Sequence, residues 1–176
     1  MAVVINGNGA VTGLSALPDS AMAEGSIIQV VQSSTTTAVS NTTVTFADTN
    51  LSGTITPTSS SNKILVIVQQ QTFFASANSG TGSGINLLRG STEIFNSPAN
   101  SSGPYGQFIS GGNISSMNHH FTKVIHFLDS PNTTSAVTYK TQFALFAAGA
   151  SSTATCQNNT SPHNGKSIMT LMEVVS

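Results

Sequence analysis

The stretch KVIHFLDSPNTTSAVTYKTQFALF, residues 123–146, decides the fold class of this chain. In its second half Val137, Tyr139, Thr141, Phe143 and Leu145 share one face, while Thr138, Lys140, Gln142 and Ala144 share the other. That period of two belongs to a strand with one dry side, not to a helix. Between the two apolar runs, Asp129-Ser130-Pro131-Asn132-Thr133-Thr134 gathers side chains that bond back to their own backbone. They surround a proline that a central strand cannot hold, so the chain reverses there.

Outward from this stretch the same pattern repeats. From Ser26 onward, candidate strands fall at Ser26–Gln32, Thr42–Asp48, Leu51–Thr56, Lys63–Phe74, Gly84–Arg89, Thr92–Phe95, Gly106–Ser110, Ile114–Leu128, Ala136–Phe146, Thr153–Asn158 and Ser167–Val175. No stretch of helical length carries a 3.6-residue apolar period. Short strands at this spacing predict an all-β sandwich or barrel, and the expected form is a jelly-roll-like antiparallel β-sandwich over 26–176. Lys63–Val68 is almost continuously apolar, as a central strand covered on both faces would be. The closing run Ser167–Val175 is too apolar to trail in solvent and is expected inside a sheet.

Residues 1–25 read as a separate arm and linker. Asn6-Gly7-Asn8-Gly9 between Val3–Ile5 and Ala10–Leu14 is a hairpin signal, but two strands alone are marginal in water. The arm therefore needs another surface to order it, and Val4, Ile5, Val11, Leu14 and Leu17 are its candidate anchoring residues. Long uncharged loops are expected at Ser76–Ser83, Asn96–Gly103 and Ala147–Gly165. From the presented stretches 76–83, 96–105 and 147–164, Asn78, Asn100, Tyr105, Asn158 and His163 are the candidate receptor-facing residues.

Composition narrows the chemistry. Only 6% of the 176 residues are charged, against about 25% in ordinary soluble domains. Ser, Thr and Asn carry the solubility instead. Five Lys and Arg with no basic cluster leave no electrostatic footprint for nucleic acid or for anionic membrane. No apolar run is long enough to span a bilayer, and the first residues lack the features of a signal peptide. The single Cys156 excludes an intrachain disulfide, and a net charge of −1 leaves little repulsion between copies.

No catalytic constellation, cofactor motif or metal cage can be argued from spacing. Asp48 and Asp129 precede turns and read as local caps, and Cys156 as a small buried hydrophobe or an inert loop thiol. His119 and His120 point to opposite faces of a strand, so one chain cannot use both on a single ion. Phe73, Phe74, Phe95, Tyr105 and Phe108 lie near loop-bearing ends, where exposed rings beside amides would suit a sugar.

Several segments together resemble the small virion fibre-type proteins of tailed bacteriophages, notably those of aquatic hosts. They are VINGNGAVTGLSALPDSAMA at 4–23, GSIIQVVQ at 25–32, TFADTNLSGTITPTSSSNKILV at 45–66, NLLRGSTEI at 86–94, FLDSPNTTSAVTYK at 127–140 and SIMTLMEVV at 167–175. The resemblance implies a virion protein assembled in the host cytoplasm, with an arm that attaches to other particle proteins. It also implies an outward-facing knob, commonly a homotrimer, that meets a host-surface glycan or protein. The expected role is a non-enzymatic tail or baseplate fibre for host attachment, the alternative a capsid decoration or head-fibre protein. No coiled-coil heptads or fibrous repeats separate arm from knob, so the attachment is short.

Overall fold

The computed structural model describes residues 4–5, 11–12, 21–76, 81–96, 99–100, 103–104, 107–109, 117–146, 152–158 and 165–176. Its strands are β1 (Val4–Ile5), β2 (Val11–Thr12), β3 (Ile27–Thr35), β4 (Val39–Asn41), β5 (Ala47–Ile55), β6 (Lys63–Ser76), β7 (Thr81–Arg89) and β8 (Thr92–Asn96). They continue with β9 (Ala99–Asn100), β10 (Gly103–Pro104), β11 (Gln107–Ile109), β12 (Met117–Asp129), β13 (Val137–Phe146), β14 (Thr153–Cys156) and β15 (Ser167–Val174). All pairings between them are antiparallel. β1 and β2 form the expected small hairpin, outside both main sheets.

The first sheet is built on β6. One edge of β6 pairs with β12 along its whole length, while the other pairs with β15 over residues 63–69 and with β14 over 72–75. β3 and β4 lie outside β15 and β14 in the same end-to-end manner. In the second sheet β7 takes β8 and β11 end to end on one edge and β13 on the other, and β5 closes the far side. With each split strand counted once, the sheets run first-eighth-third-sixth and second-seventh-fourth-fifth in chain order. That is the two-Greek-key order of a jelly roll, one form of the sandwich expected from the sequence.

The alternation in the opening stretch is observed: Val137, Tyr139, Thr141, Phe143 and Leu145 are buried. The turn before them does more than reverse the chain, since it carries it from β12 in the first sheet to β13 in the second. Asn132 helps by taking a left-handed φ of 52°. Two expectations change. Thr42–Asp48 and Leu51–Thr56 are one strand, β5, preceded by a turn, because Asn50 at φ 64° bulges the backbone where Asp-Thr-Asn suggested a stop. Lys63–Val68 is central but covered on one face only, with Leu65 and Ile67 half-buried on the outer side. The strand expected at Thr153–Asn158 is observed as β14, ending at Cys156.

The core has apolar ends and a polar waist. Ile64, Val66, Val68, Leu51, Ile55 and Leu171 fill one end; Phe74, Phe143, Leu145, Ala154 and Cys156 fill the other. Between them Gln70 of the first sheet accepts a bond from the Thr141 hydroxyl of the second at 2.9 Å, and Thr141 shares a 2.6 Å bond with Thr49. This waist lies where β14 and β15 part company. There the Gln71 N–H donates to Ser167 Oγ at 2.9 Å, and its carbonyl accepts from the Gln157 N–H at 3.2 Å. The buried Gln157 amide has its oxygen toward Gln70 and Ser167, and its nitrogen donates to the Thr37 and Thr49 carbonyls at 3.1 and 3.0 Å. Both Gln71 backbone groups, which face the gap between β14 and β15, thus have a partner.

A second tie joins the sheets at the end nearer the termini. Arg89 of β7 donates to both carboxylate oxygens of Asp129 at 3.0 Å, and the fully buried Tyr139 hydroxyl donates to the same carboxylate at 2.7 Å. Burial and the Asp129 charge hold the Tyr139 phenol well above its usual pKa. Asp129, read above as a cap, instead closes the sandwich.

Gly165 is set by the waist. A Cβ there would lie 2.8 Å from the Asn158 backbone N and O, which cannot withdraw without breaking the Gly165 to Asn158 bond of 2.8 Å. Gly165→Ala is expected to lower stability by about 1–3 kcal/mol, measured by urea unfolding; an unchanged midpoint would remove this waist as a constraint.

Candidate functional site

The jelly roll has two unlike ends. The C-terminal end of β6, the N-terminal ends of β7, β12 and β14, and the C-terminal end of β13 lie together with the 42–46 turn. The strand ends at Asn41, Ser76, Thr81, Met117, Phe146 and Thr153 therefore share this end, called the tip here. The start of β3 and the end of β15 lie at the opposite end, the base. The Gly25 N–H donates to the Val175 carbonyl at 2.8 Å and the Val175 N–H to the Ser26 carbonyl at 2.9 Å. The arm joins the sandwich there, as far from the tip as the strands allow.

At the tip a buried asparagine shapes the 42–46 turn. Asn41 Nδ2 donates to the Thr45 carbonyl at 2.8 Å and to the Phe143 carbonyl at 3.0 Å, while its oxygen accepts from the Thr43 N–H at 2.8 Å. The turn so held displays Val44, 46% exposed. Beside it, on the outer face of the first sheet, Phe73 packs on His120 with ring centroids 4.8 Å apart, and Gln71 Nε2 lies 3.4 Å from His120 Nδ1. A ring, an imidazole and an amide on one face, flanked by the Ser40 and Thr155 hydroxyls that share a 2.8 Å bond, can stack on and hydrogen-bond a polar, uncharged ligand.

The predicted site residues divide accordingly. Val4, Ile5 and Val11 lie on the β1–β2 hairpin, whereas Leu14 and Leu17 lie outside the described residues. Asn78, Tyr105 and His163 also lie outside them, and Asn100 is placed on β9. Asn158 is corrected: it is 7% exposed, and its N–H donates to Gln71 Oε1 at 3.0 Å, so it belongs to the waist. Of the ring residues whose side chains are described, Phe74 is core, Phe95 packs against Phe127, and Phe73 is half-buried on the outer face. Phe73 and Phe74 could be told apart in the sequence only by the parity of their strand. The partnership with His120 could not be read there at all, because it depends on the register of β6 against β12.

Groups that could react are closed in. Cys156 is fully buried, and burial pushes its thiol up to about 12. Lys123 points inward between the sheets, where its ammonium donates to the Ser83 carbonyl at 2.7 Å and to Ser83 Oγ at 2.6 Å. Burial lowers its pKa from 10.5 to about 8. A cleft of about 300 Å³ does open on the side of the second sheet at the β5 bulge, lined by Asp48, Asn50, Leu51, Ser52, Lys140 and Thr141. Its charges are spent on each other: partial burial opposes the Asp48 charge, but donors from Gln142 and Lys140 outweigh this and lower its pKa. Asp48 is therefore a cross-strand partner, not the turn cap expected. Among the described residues no three His, Cys, Asp or Glu side chains could share a metal ion, and no helix is long and apolar enough to cross a membrane.

No protein-family model matches the chain, and no curated protein matches it in sequence. Among solved structures it is similar to the infectious bursal disease virus VP2 subviral particle, with a TM-score of 0.36 and 11% identity over 84% of this chain and 37% of that one. It is similar also to the Gx strain of that virus, at 0.35 and 11% over 86% and 39%, and to the Gt strain, at 0.33 and 12% over 99% and 47%. The chain spans less than half the length of each.

Two outcomes follow from the enclosed groups. Cys156 is expected to ignore an aromatic disulfide reagent in the native protein and to react fully in denaturant; prompt native labelling would contradict its burial. The unfolded chain holds the Lys123 proton more tightly than the fold does between pH 8 and 10.5, so this lysine makes stability rise with pH across that window. Lys123→Met is expected to flatten the rise in urea midpoint from about pH 7.5 to 9.5 and to be no less stable at neutral pH.

Proposed function

We propose that this chain is a non-enzymatic structural protein of a virus particle, a short tail or baseplate fibre that attaches the particle to a host surface. The observation that carries this reading is the polarity of the sandwich: the arm joins at the base beside Val175, while the 42–46 turn and the strand ends at Ser76, Thr81, Met117, Phe146 and Thr153 form the tip. An anchor at one end and a presenting surface at the other is the arrangement an attachment protein needs. The sequence resemblance to phage fibre-type proteins points the same way, and adds a homotrimer and an arm held by other virion proteins. The uncharged tip, with Phe73, His120 and Gln71, suits a neutral host-surface glycan or protein better than an anionic polymer.

Decoration of the capsid shell is the second reading. The lack of coiled-coil heptads or fibrous repeats between residues 1–25 and the sandwich, which begins at Ile27, favours it.

Antibody to the sandwich, viewed on intact particles by electron microscopy, is expected to label the tail; labelling confined to the shell would leave decoration standing and end the fibre reading. Deletion of residues 1–20, which spares the Gly25 bond, is expected to leave a folded protein that no longer enters particles. Undiminished incorporation would show that the arm is not the anchor.

A further inference from the structure

The outer face of the first sheet is apolar toward the base. The register puts Val30, Met172, Leu65 and Leu128 in one row across all four strands, with Ile27, Val174 and Lys63 below it; in the row above, Ile67 stands with Gln32, Thr170 and His126. Several of these side chains stand in solvent: Val30 is 58% exposed, Val124 53%, Ile27 51% and Leu128 50%. Other strands of this protein put serine, threonine or glutamine on their outer faces, so the concentration here is not a matter of composition. Lys63 is the face's single formal charge, at its margin opposite Val174, because Glu173 and Asp129 turn inward.

We infer that this face docks a second copy of the same chain, sheet against sheet. Shape is the first argument: the exposed apolar side chains spread over four strands rather than along one line, and another sheet packs on such a face about 10 Å away, as the two sheets of a sandwich do. Charge is the second. With Lys63 only at its margin and no carboxylate, the face offers little for a charged partner to pair with, and two like copies with a net charge of −1 each repel little. Area is the third. Four strands about 4.8 Å apart and seven residues at about 3.3 Å each give a face of about 19 by 23 Å, on the order of 400 Å². Two such faces remove roughly 800–900 Å² from water, the low end for specific interfaces, which implies reversible association rather than an obligate complex.

The inference deepens the assembly role proposed above and is separable from it, because it concerns the isolated chain. Sedimentation equilibrium of the full chain from about 1 to 100 μM is expected to show self-association with a dissociation constant in the micromolar range. Val30→Asp and Val124→Asp, on two different strands and already in solvent, are each expected to weaken association at least about tenfold with an unchanged thermal midpoint. Thr138→Asp on the outer face of the second sheet is expected to leave it as it was. A wild-type chain that stays monomeric throughout, or an oligomer that survives both valine substitutions, overturns the inference. If the wild type is monomeric and Val30→Asp is excluded from particles, the face binds another virion protein; self-docking is then refuted while the structural role stands.

Discussion

Two strands of the first sheet stop and restart at the same level, and the groups thereby released lie inside the protein. β3 gives way to β4, and β15 stands end to end with β14, so the middle of β6 loses its neighbour at Gln70 and Gln71. An unpartnered buried amide costs more than most hydrophobic contacts return. The hydroxyl of Ser167, the amide of Gln157 and the side chain of Gln71 meet this cost by taking the places of missing ladder bonds. Gln70 and Thr141 then carry the network across the sandwich, so the two sheets are set against each other by directional bonds at the waist and by apolar contact on either side. The waist fixes where the sheets sit, and through them which faces and ends are left for function.

The scarcity of charge acquires a physical meaning from this arrangement. Arg89 and Asp129, together with Tyr139, close the sandwich near the base; Lys140 and Asp48 pair across strands. The buried Glu173 carboxylate accepts from Thr58 N–H and hydroxyl at 2.7 Å and from Asn62 at 2.8 Å; although burial opposes its charge, these bonds hold its pKa below the usual value. Ionised groups are thus used as internal fastenings, and the surface is left to hydroxyls, amides, rings and aliphatic side chains. Such a surface recognises by shape, stacking and neutral hydrogen bonds, and its tip and its apolar face serve different partners because they lie at different levels of the same sheet.

Much of the fold was legible in residues 123–146 and in the runs around them, because a strand with one dry face writes its period directly into the chain. Boundaries were less legible where polarity misleads. Asp48-Thr49-Asn50 looks like a turn, yet Thr49 is buried against Thr141 and the strand continues through a bulge, since Asn tolerates the left-handed conformation it needs. Asn158, chosen for its setting in a polar loop, is internal, because a hydrogen-bonding residue beside a broken strand serves the break.

By itself the sequence determined the class: period-two apolar runs and turn residues exclude helices, and low charge without clustered acids, bases or cysteines leaves no evident reactive motif. Only the tertiary structure decided the jelly-roll order, the opposition of arm and tip, the meeting of Phe73 with His120, and the row from Val30 to Leu128. The reason is physical. Periodicity is a property of neighbours along the chain, whereas register and strand order depend on bonds between residues a hundred positions apart, such as Thr49 with Thr141.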